Sequence, residues 1–273
     1  MQRDAAVIHA SLAGGLRKAI VPALLLAAWL VLSLNHSVDP LYLPSPGDLW
    51  DALKAVWPRL PSAFVSSVFV TLAGLVAGSS IGILIGLAMA SSKTVRDLFG
   101  GLQEAIRPVP TFALIPLFVL WFGLGKAPQI VLVGFGSAIL LSLATIEAVR
   151  NVPPIYVRAS LLFGADRLTV YRTVILPAIV PHIFGALRAA AVAAWGRDVA
   201  AEYVGAQDGL GYLMIVQSQY FDTAGMWVII FIYSLLAFAL DAILRAAQRP
   251  LTRWTDRNVD SGVVASVLGQ TKS

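Results

Sequence analysis

Two carboxylates and two arginines lie within one apolar run of the chain, Ala178–Val204. Asp198 and Glu202 are four residues apart, so a helix would place both side chains on one face. Arg188 and Arg197 lie in the same run. Charges in such a run are costly and usually face a bundle interior or a water-filled pathway. Two interpretations follow: structural ion pairs, or a site where Arg197 attracts the anionic group of a solute.

A second unusual group is the set of prolines at 108, 110 and 116 in another apolar run. Prolines remove backbone donors, and broken helices in membrane proteins line a cavity or are buried in protein. A pathway-lining segment is one interpretation, and a simple kink is the other. The candidate pathway or substrate residues are Trp195, Arg197, Asp198, Glu202, Pro110 and Pro116.

The residues of the common catalytic centres are scarce. The chain has no cysteine, which excludes disulfides and thiol chemistry. Its three histidines, His9, His36 and His182, form no catalytic pair or metal-binding pattern in the sequence. The phosphate-binding pattern GxxxxGK[ST] is missing, so the chain is not expected to hydrolyse ATP alone. We therefore predict no catalytic residue and no metal site.

The composition is that of a membrane protein. Of the 273 residues, 58% are hydrophobic and 13% charged, and the mean hydropathy is +0.79, whereas soluble domains carry about 25% charge. Helices are expected because lipid-embedded backbone must pair within the chain. The predicted fold is an all-α polytopic membrane protein with six spans: Ala19–Leu34, Ala63–Ala90, Leu102–Phe122, Gln129–Val149, Ala178–Val204 and Ala224–Leu244.

The distribution of Lys and Arg predicts the orientation. Three of the 20 such residues, Lys54, Arg59 and Lys126, flank one side of the predicted spans. Apart from Arg188 and Arg197, all the others flank the opposite side, which the positive-inside rule assigns to the cytoplasm. Both termini and the segment 150–177 are therefore expected to be cytoplasmic. The net charge of +5 is spread along the chain and does not predict nucleic-acid binding.

Four glycines recur at a spacing of four in the second predicted span: Gly74, Gly78, Gly82 and Gly86. This spacing forms a smooth stripe along a helix and permits close approach of a second helix in lipid. The partner is either a helix of the same subunit or a helix across a moving interface.

The segment 150–177 carries signals for two short helices. Asn151 is a candidate cap, and prolines 153 and 154 suit the first turn of a helix that continues to Phe163. Gly164 can adopt the left-handed conformation that ends a helix, and Asp166 can cap the next one. We predict a helix–Gly–helix elbow. It is either a solvated connector or a surface on which a partner docks.

The order of residues in this elbow resembles the EAA loop of ABC importer permeases. Arg158, Ala159 and Ser160 stand for the family's Glu-Ala-Ala, Gly164 is in register with its glycine, and Val174, Leu176 and Pro177 stand for its Ile-x-Leu-Pro. In this family the loop fits a groove on the nucleotide-binding subunit. The resemblance therefore implies an ATPase-coupling loop of Arg158, Ala159, Ser160, Gly164, Ala165, Asp166, Val174, Leu176 and Pro177. Arg158 and Ser160 depart from the pattern and imply a compensating contact on the partner.

Four further motifs are similar to the branch that imports nitrate, taurine or alkanesulfonates: "LPSP" at Leu43–Pro46, and the segments Ile106–Gly125, Ala200–Met214 and Ala239–Trp254. This resemblance implies a permease subunit in a bacterial inner membrane, forming the translocation pathway for a small anionic solute of the sulfonate, taurine or nitrate type. It also implies a separate ATPase pair carrying ATP and Mg²⁺, a periplasmic or lipid-anchored solute-binding protein, a permease homodimer and contact with membrane lipid.

The implied organisation is a cytoplasmic tail over 1–18, a first helix and outer loop over 19–62, a core transmembrane domain over 63–249 and a cytoplasmic tail over 250–273. Branches importing pyrimidine vitamin precursors or aromatic compounds share these motifs and remain alternatives for the solute. An independent secondary transporter is a further alternative. Its coupling-ion site would have to use Asp198 and Glu202, the deep carboxylates.

Overall fold

The computed structural model describes residues 20–35 and 37–252, and all regular secondary structure in these ranges is helical. This confirms the predicted fold class. The helices are α1 Ile20–Leu34, α2 Pro46–Val56, α3 Leu60–Ser91, α4 Lys93–Ile106, α5 Ile115–Phe122, α6 Lys126–Arg150, α7 Pro154–Leu162, α8 Arg167–Val170, α9 Leu176–Gly205, α10 Leu210–Gln219 and α11 Thr223–Leu251.

Within the described ranges, four helical stretches are long and apolar enough to cross a membrane: α3, α6, α11 and the stretch Arg167–Gly205, which contains α9. The bent pair Lys93–Ile106 and Thr111–Phe122 can form a fifth crossing. Helix α1 is apolar but shorter, and its predicted first residue, Ala19, lies outside the described residues. The count of six spans therefore stays a prediction.

The third predicted span, Leu102–Phe122, is broken, as its prolines indicated. Helix α4 ends at Ile106, and the chain turns by 92° before the short 3₁₀ helix Thr111–Leu114 that leads into α5. Pro110 itself is extended, with ψ 113°. Prolines 108 and 110 explain the break, because each removes a donor and disfavours helix at the preceding residue. Pro116 lies in the first turn of α5, where the missing donor costs little.

The glycine stripe of α3 packs against α6 of the same chain. A Cβ atom at Gly74 would lie 2.7 Å from Val133 Cβ, and one at Gly86 would lie 2.6 Å from Thr145 Cβ. A Cβ atom at Gly78 would overlap the backbone of Gly134, and one at Gly82 would overlap the backbone of Ala138. Residue numbers rise together on both helices, so α3 and α6 run parallel and in contact along most of their length.

Helix α9 packs against this α3–α6 pair. Leu75 of α3, Val133 and Leu141 of α6, and Ala190 and Ala194 of α9 form one buried apolar cluster. Large apolar side chains on the outer faces of the bundle, such as Leu84 and Leu235, are exposed, as expected for surfaces that contact lipid. At the end of the bundle away from the elbow, α10 folds back and packs on α9, α3 and α11.

Candidate functional site

The segment 150–177 has the shape of an elbow. Pro154 begins α7, Gly164 follows its end with φ +83°, and the Asp166 side chain accepts a hydrogen bond from Thr169 N at 3.0 Å. Hydrogen bonds from the side chain and backbone of Thr169 hold the pKa of Asp166 below its ordinary value. One predicted detail is wrong: Asn151 ends α6, and Pro153 precedes α7 without a side-chain cap.

The second arm of the elbow continues into a membrane helix. After α8, residues Tyr171–Ile175 form a π-helical turn, and the helix goes on as α9, with Pro177 in its first turn. Val170, Ile175 and Ile179 pack with Ala148 in one buried cluster, which fixes the base of the elbow to the end of α6. The base of the elbow is therefore in direct contact with both α6 and α9.

The tip of the elbow carries two exposed apolar side chains that we did not predict as site residues. Leu162 is 88% exposed and Phe163 is 92% exposed, directly before Gly164. The sequence signal that could have predicted this tip was a pair of large apolar residues directly before a helix-ending glycine, within a charged segment. Of the predicted loop residues, Arg158, Gly164, Asp166 and Leu176 are exposed, whereas Ala159, Ser160, Ala165, Val174 and Pro177 are half-buried. The elbow thus presents an apolar tip beside an exposed cation.

A buried hydrogen-bond network surrounds Glu202 at the other end of the bundle. Ser67 Oγ donates to Glu202 Oε1 at 2.7 Å, and the backbone N–H of Gly211 donates to Oε2 at 2.6 Å. Tyr233 OH lies 3.1 Å from the same Oε2. The Glu202 side chain is fully buried. Helices α3, α9, α10 and α11 therefore meet at one carboxylate.

Two glycines allow the chain to close over this carboxylate. Gly209 has φ +117°, and a Cβ there would overlap the Glu202 carboxyl group. A Cβ at Gly211 would lie 2.8 Å from Glu202 Cβ. Ser67 and Tyr233 were not predicted as site residues, and the two glycines were predicted only as part of the motif Ala200–Met214, without a contact to Glu202. In the sequence, the pattern Gly-Leu-Gly at 209–211, a few residues after Glu202, was the one local signal for this contact.

Asp198 shares the face of Glu202, as the spacing predicts, and is equally buried. Tyr233 OH lies 3.5 Å from its Oδ2, while Oδ1 has no hydrogen-bond partner among the residues that the structure describes. Trp195, one turn earlier, packs edge-on against the Tyr233 ring with centroids 6.0 Å apart. The structure therefore brings together three predicted residues, Trp195, Asp198 and Glu202, in one cluster with Tyr233.

Arg197 points away from this cluster, toward α6. Its guanidinium packs on Gly136, where the lack of a Cβ leaves room for it. The residue is 8% exposed, and its Nη1 atom has no hydrogen-bond partner in the described part of the chain. Pro110 and Pro116, the other predicted pathway residues, are both exposed, before and within the start of α5. A buried guanidinium whose Nη1 atom the described residues leave unpaired favours an anionic neighbour.

Arg188 forms a structural ion pair, which was one of the two interpretations of the charged residues in the run 178–204. Its Nε lies 2.7 Å from Asp241 Oδ1 and its Nη2 lies 3.2 Å from Oδ2, so the contact is bidentate. Arg245 contacts the same carboxylate at 2.6 Å. The sequence indicated Asp241–Arg245 from its i, i+4 spacing, but the contact between α9 and α11 was not predicted. Arg188 is thus a structural residue that joins two helices.

These features define a membrane component of a transport system, and comparison with known proteins identifies the family. The chain belongs to the family of binding-protein-dependent transport system inner membrane components, whose sequence profile matches residues 78–253. It is 31% identical over 243 residues to the taurine transport system permease protein TauC of Escherichia coli (strain K12), covering 85% of this chain and 87% of TauC. The putative aliphatic sulfonates transport permease protein SsuC of Bacillus subtilis (strain 168) is 26% identical over 249 residues, covering 88% of each chain.

Solved structures agree on the fold. An inward-facing MetNI methionine ABC transporter chain superposes with a TM-score of 0.62 at 20% identity, covering 72% of this chain and 97% of that one. A chain of an amino acid ABC transporter solved with histidines gives a TM-score of 0.63 at 19% identity, covering 72% and 96%. The chain therefore has the fold of the ABC importer permeases, as the EAA-like loop predicted. Its family membership makes it the permease subunit of such an importer.

Proposed function

We propose that this permease carries a small sulfonate anion of the taurine or alkanesulfonate type across the bacterial inner membrane. The observation that carries the choice of solute is the buried guanidinium of Arg197, whose Nη1 lacks a partner among the described residues. A sulfonate offers three acceptor oxygens and one negative charge, which suits a guanidinium fork. The names of the taurine and sulfonate relatives support the same chemistry.

Energy comes from a separate ATPase pair in this proposal, since the chain has no phosphate-binding loop of its own. The exposed tip Leu162–Phe163 supplies apolar anchors for a groove on the ATPase. Arg158, exposed on α7, faces an acidic group on that subunit. The elbow, both termini and the positively charged flanks lie in the cytoplasm, following the distribution of Lys and Arg.

Transport then follows an alternating-access cycle with two copies of this chain around one pathway. An external binding protein delivers the solute to the end of the bundle opposite the elbow. Closure of the ATPase pair draws the two elbows together, and the motion passes through the base of each elbow to α6 and α9. Hydrolysis of ATP resets the inward-facing state. Glu202 and Asp198 face away from Arg197, so they are not assigned to the solute.

Replacing Arg197 by Gln is expected to lower the rate of sulfonate uptake by about tenfold, because the solute loses one charge-assisted hydrogen bond. The measurement is uptake of radiolabelled taurine in cells that express the permease with its ATPase and binding protein. Arg59→Gln, at an exposed position before α3, is the matched control and should transport normally.

Two outcomes would contradict the assignment. Equal uptake by Arg197→Gln and the native permease, at equal amounts in the membrane, would remove Arg197 from the solute pathway. Transport of an uncharged vitamin or aromatic compound, with no competition by sulfonates, would overturn the proposed solute while leaving the ATPase coupling intact.

A further inference from the structure

The contacts of Glu202 suit a carboxylate that accepts hydrogen bonds. Ser67 Oγ accepts the backbone N–H of Leu210 at 2.8 Å and donates its own hydrogen to Glu202 Oε1. The Gly211 N–H can only donate, and Tyr233 OH supplies the third hydrogen. An amide could keep its carbonyl oxygen toward Gly211 and Tyr233 only by turning its NH₂ group toward Ser67 Oγ. Glutamine would then lose the hydrogen bond that Ser67 donates, so the geometry fits a carboxylate better than an amide.

The partners of Glu202 also show what it holds in place. Leu210 and Gly211 are the first two residues of α10, so the carboxylate and Ser67 together bind two of the backbone N–H groups that a helix start leaves unpaired. The helix dipole favours a negative charge at this position. Ser67 and Tyr233 extend the contact to α3 and α11. Without Glu202, the start of α10 would lose its polar attachment to α9.

We propose that Glu202 is a positioning residue that latches the start of α10 to α3, α9 and α11. The latch makes the ends of these four helices away from the elbow move as one body during transport. It also fixes the rotation of α9 about its own axis. Arg197, which lies on an adjacent face of the same helix, therefore stays directed at Gly136 on α6. The inference rests on the transport function proposed above but not on the identity of the solute.

The state of the latch can be measured by cysteine labelling in native membranes, because the full chain contains no cysteine. Leu210 is fully buried at the latch and Val133 is fully buried on α6. Leu210→Cys should react slowly with a maleimide in the otherwise native permease and about tenfold faster when combined with Glu202→Gln. Val133→Cys should react at the same rate with and without Glu202→Gln. Glu104→Gln, at an exposed position on α4, is the matched charge control for both sites.

Uptake is then compared at equal amounts of permease in the membrane. Glu202→Gln should lower the maximal rate about tenfold, and Tyr233→Phe, which removes one of three donors, about threefold. Adding Ser67→Ala to Glu202→Gln should cause a further loss, because Ser67→Ala also removes the acceptor of the Leu210 N–H.

Each alternative result contradicts the latch in its own way. An unchanged reaction at Leu210 would show that α10 stays attached without Glu202. An equal rise at Val133 would show a general loosening of the fold instead of a local release. Normal uptake despite faster labelling would separate the latch from transport. The labelling needs no solute, so a wrong solute assignment would leave this test valid.

Discussion

Gly78→Leu is expected to prevent assembly of the permease, and Gly78→Ala is expected to lower its amount in the membrane severalfold. Even a Cβ atom at Gly78 would overlap the backbone of Gly134, and backbone cannot move aside as a flexible side chain can. Alanine gains about 1 kcal/mol of helix propensity over glycine. Overpacking of a tight contact costs about 1–3 kcal/mol, and the contact lies midway along the parallel α3–α6 pair, where separation would disturb the whole stripe.

The measurement is the yield of monodisperse permease in detergent and its melting temperature. Gly100→Ala and Gly100→Leu serve as matched controls, because a Cβ at Gly100 on α4 meets nothing within 4 Å. Yield and melting temperature at Gly78 equal to those at Gly100 would show that α3 and α6 do not approach as closely as described.

Gly164→Val is expected to lower uptake strongly while leaving the permease assembled. Gly164 has φ +83°, which costs an ordinary L-residue about 1–2 kcal/mol and a β-branched residue more. A Cβ there would meet nothing within 4 Å, so the cost is conformational and not a clash. The two arms of the elbow would lose their relative direction, and the apolar tip would no longer fit the groove that we propose on the ATPase. We expect at least a roughly tenfold loss of uptake.

Co-purification of the ATPase with the permease and uptake by whole cells are the two measurements for this variant. Gly164→Asn is the matched control, since asparagine tolerates the left-handed conformation, and it should keep most of the activity. Normal ATPase binding and uptake by Gly164→Val would refute the role of the elbow as the coupling element.

Features that depend on neighbours in the sequence could be predicted. The spacing of Gly74 to Gly86 predicted a close helix contact, and the signals at Gly164 and Asp166 predicted the bend between two short helices. In each case a backbone rule acts over a few residues, so no distant contact has to be known. The helical fold class follows in the same way from long apolar runs.

Contacts between distant residues could not be predicted. Ser67 and Glu202 are 135 residues apart, and Arg188 and Asp241 are 53 apart, so their pairing depends on how the helices assemble. Helical spacing did place Asp198 and Glu202 on one face, but it could not say that Tyr233 lies opposite them. The prolines indicated the break before α5, but its angle of 92° could not be predicted, since prolines do not determine the direction in which the chain continues.

The π-helical turn Tyr171–Ile175 connects the elbow to α9 and holds one residue more than an α-helical turn. Successive residues of an α-helix are about 100° apart around its axis. Deleting one residue here would leave an ordinary α-helix, yet it would swing Leu162 and Phe163 through about 100° around α9. The direction in which the tip points around α9 therefore depends on the number of residues between Asp166 and Leu176. Related permeases with different side chains in this connection can share a docking direction only if they keep that number.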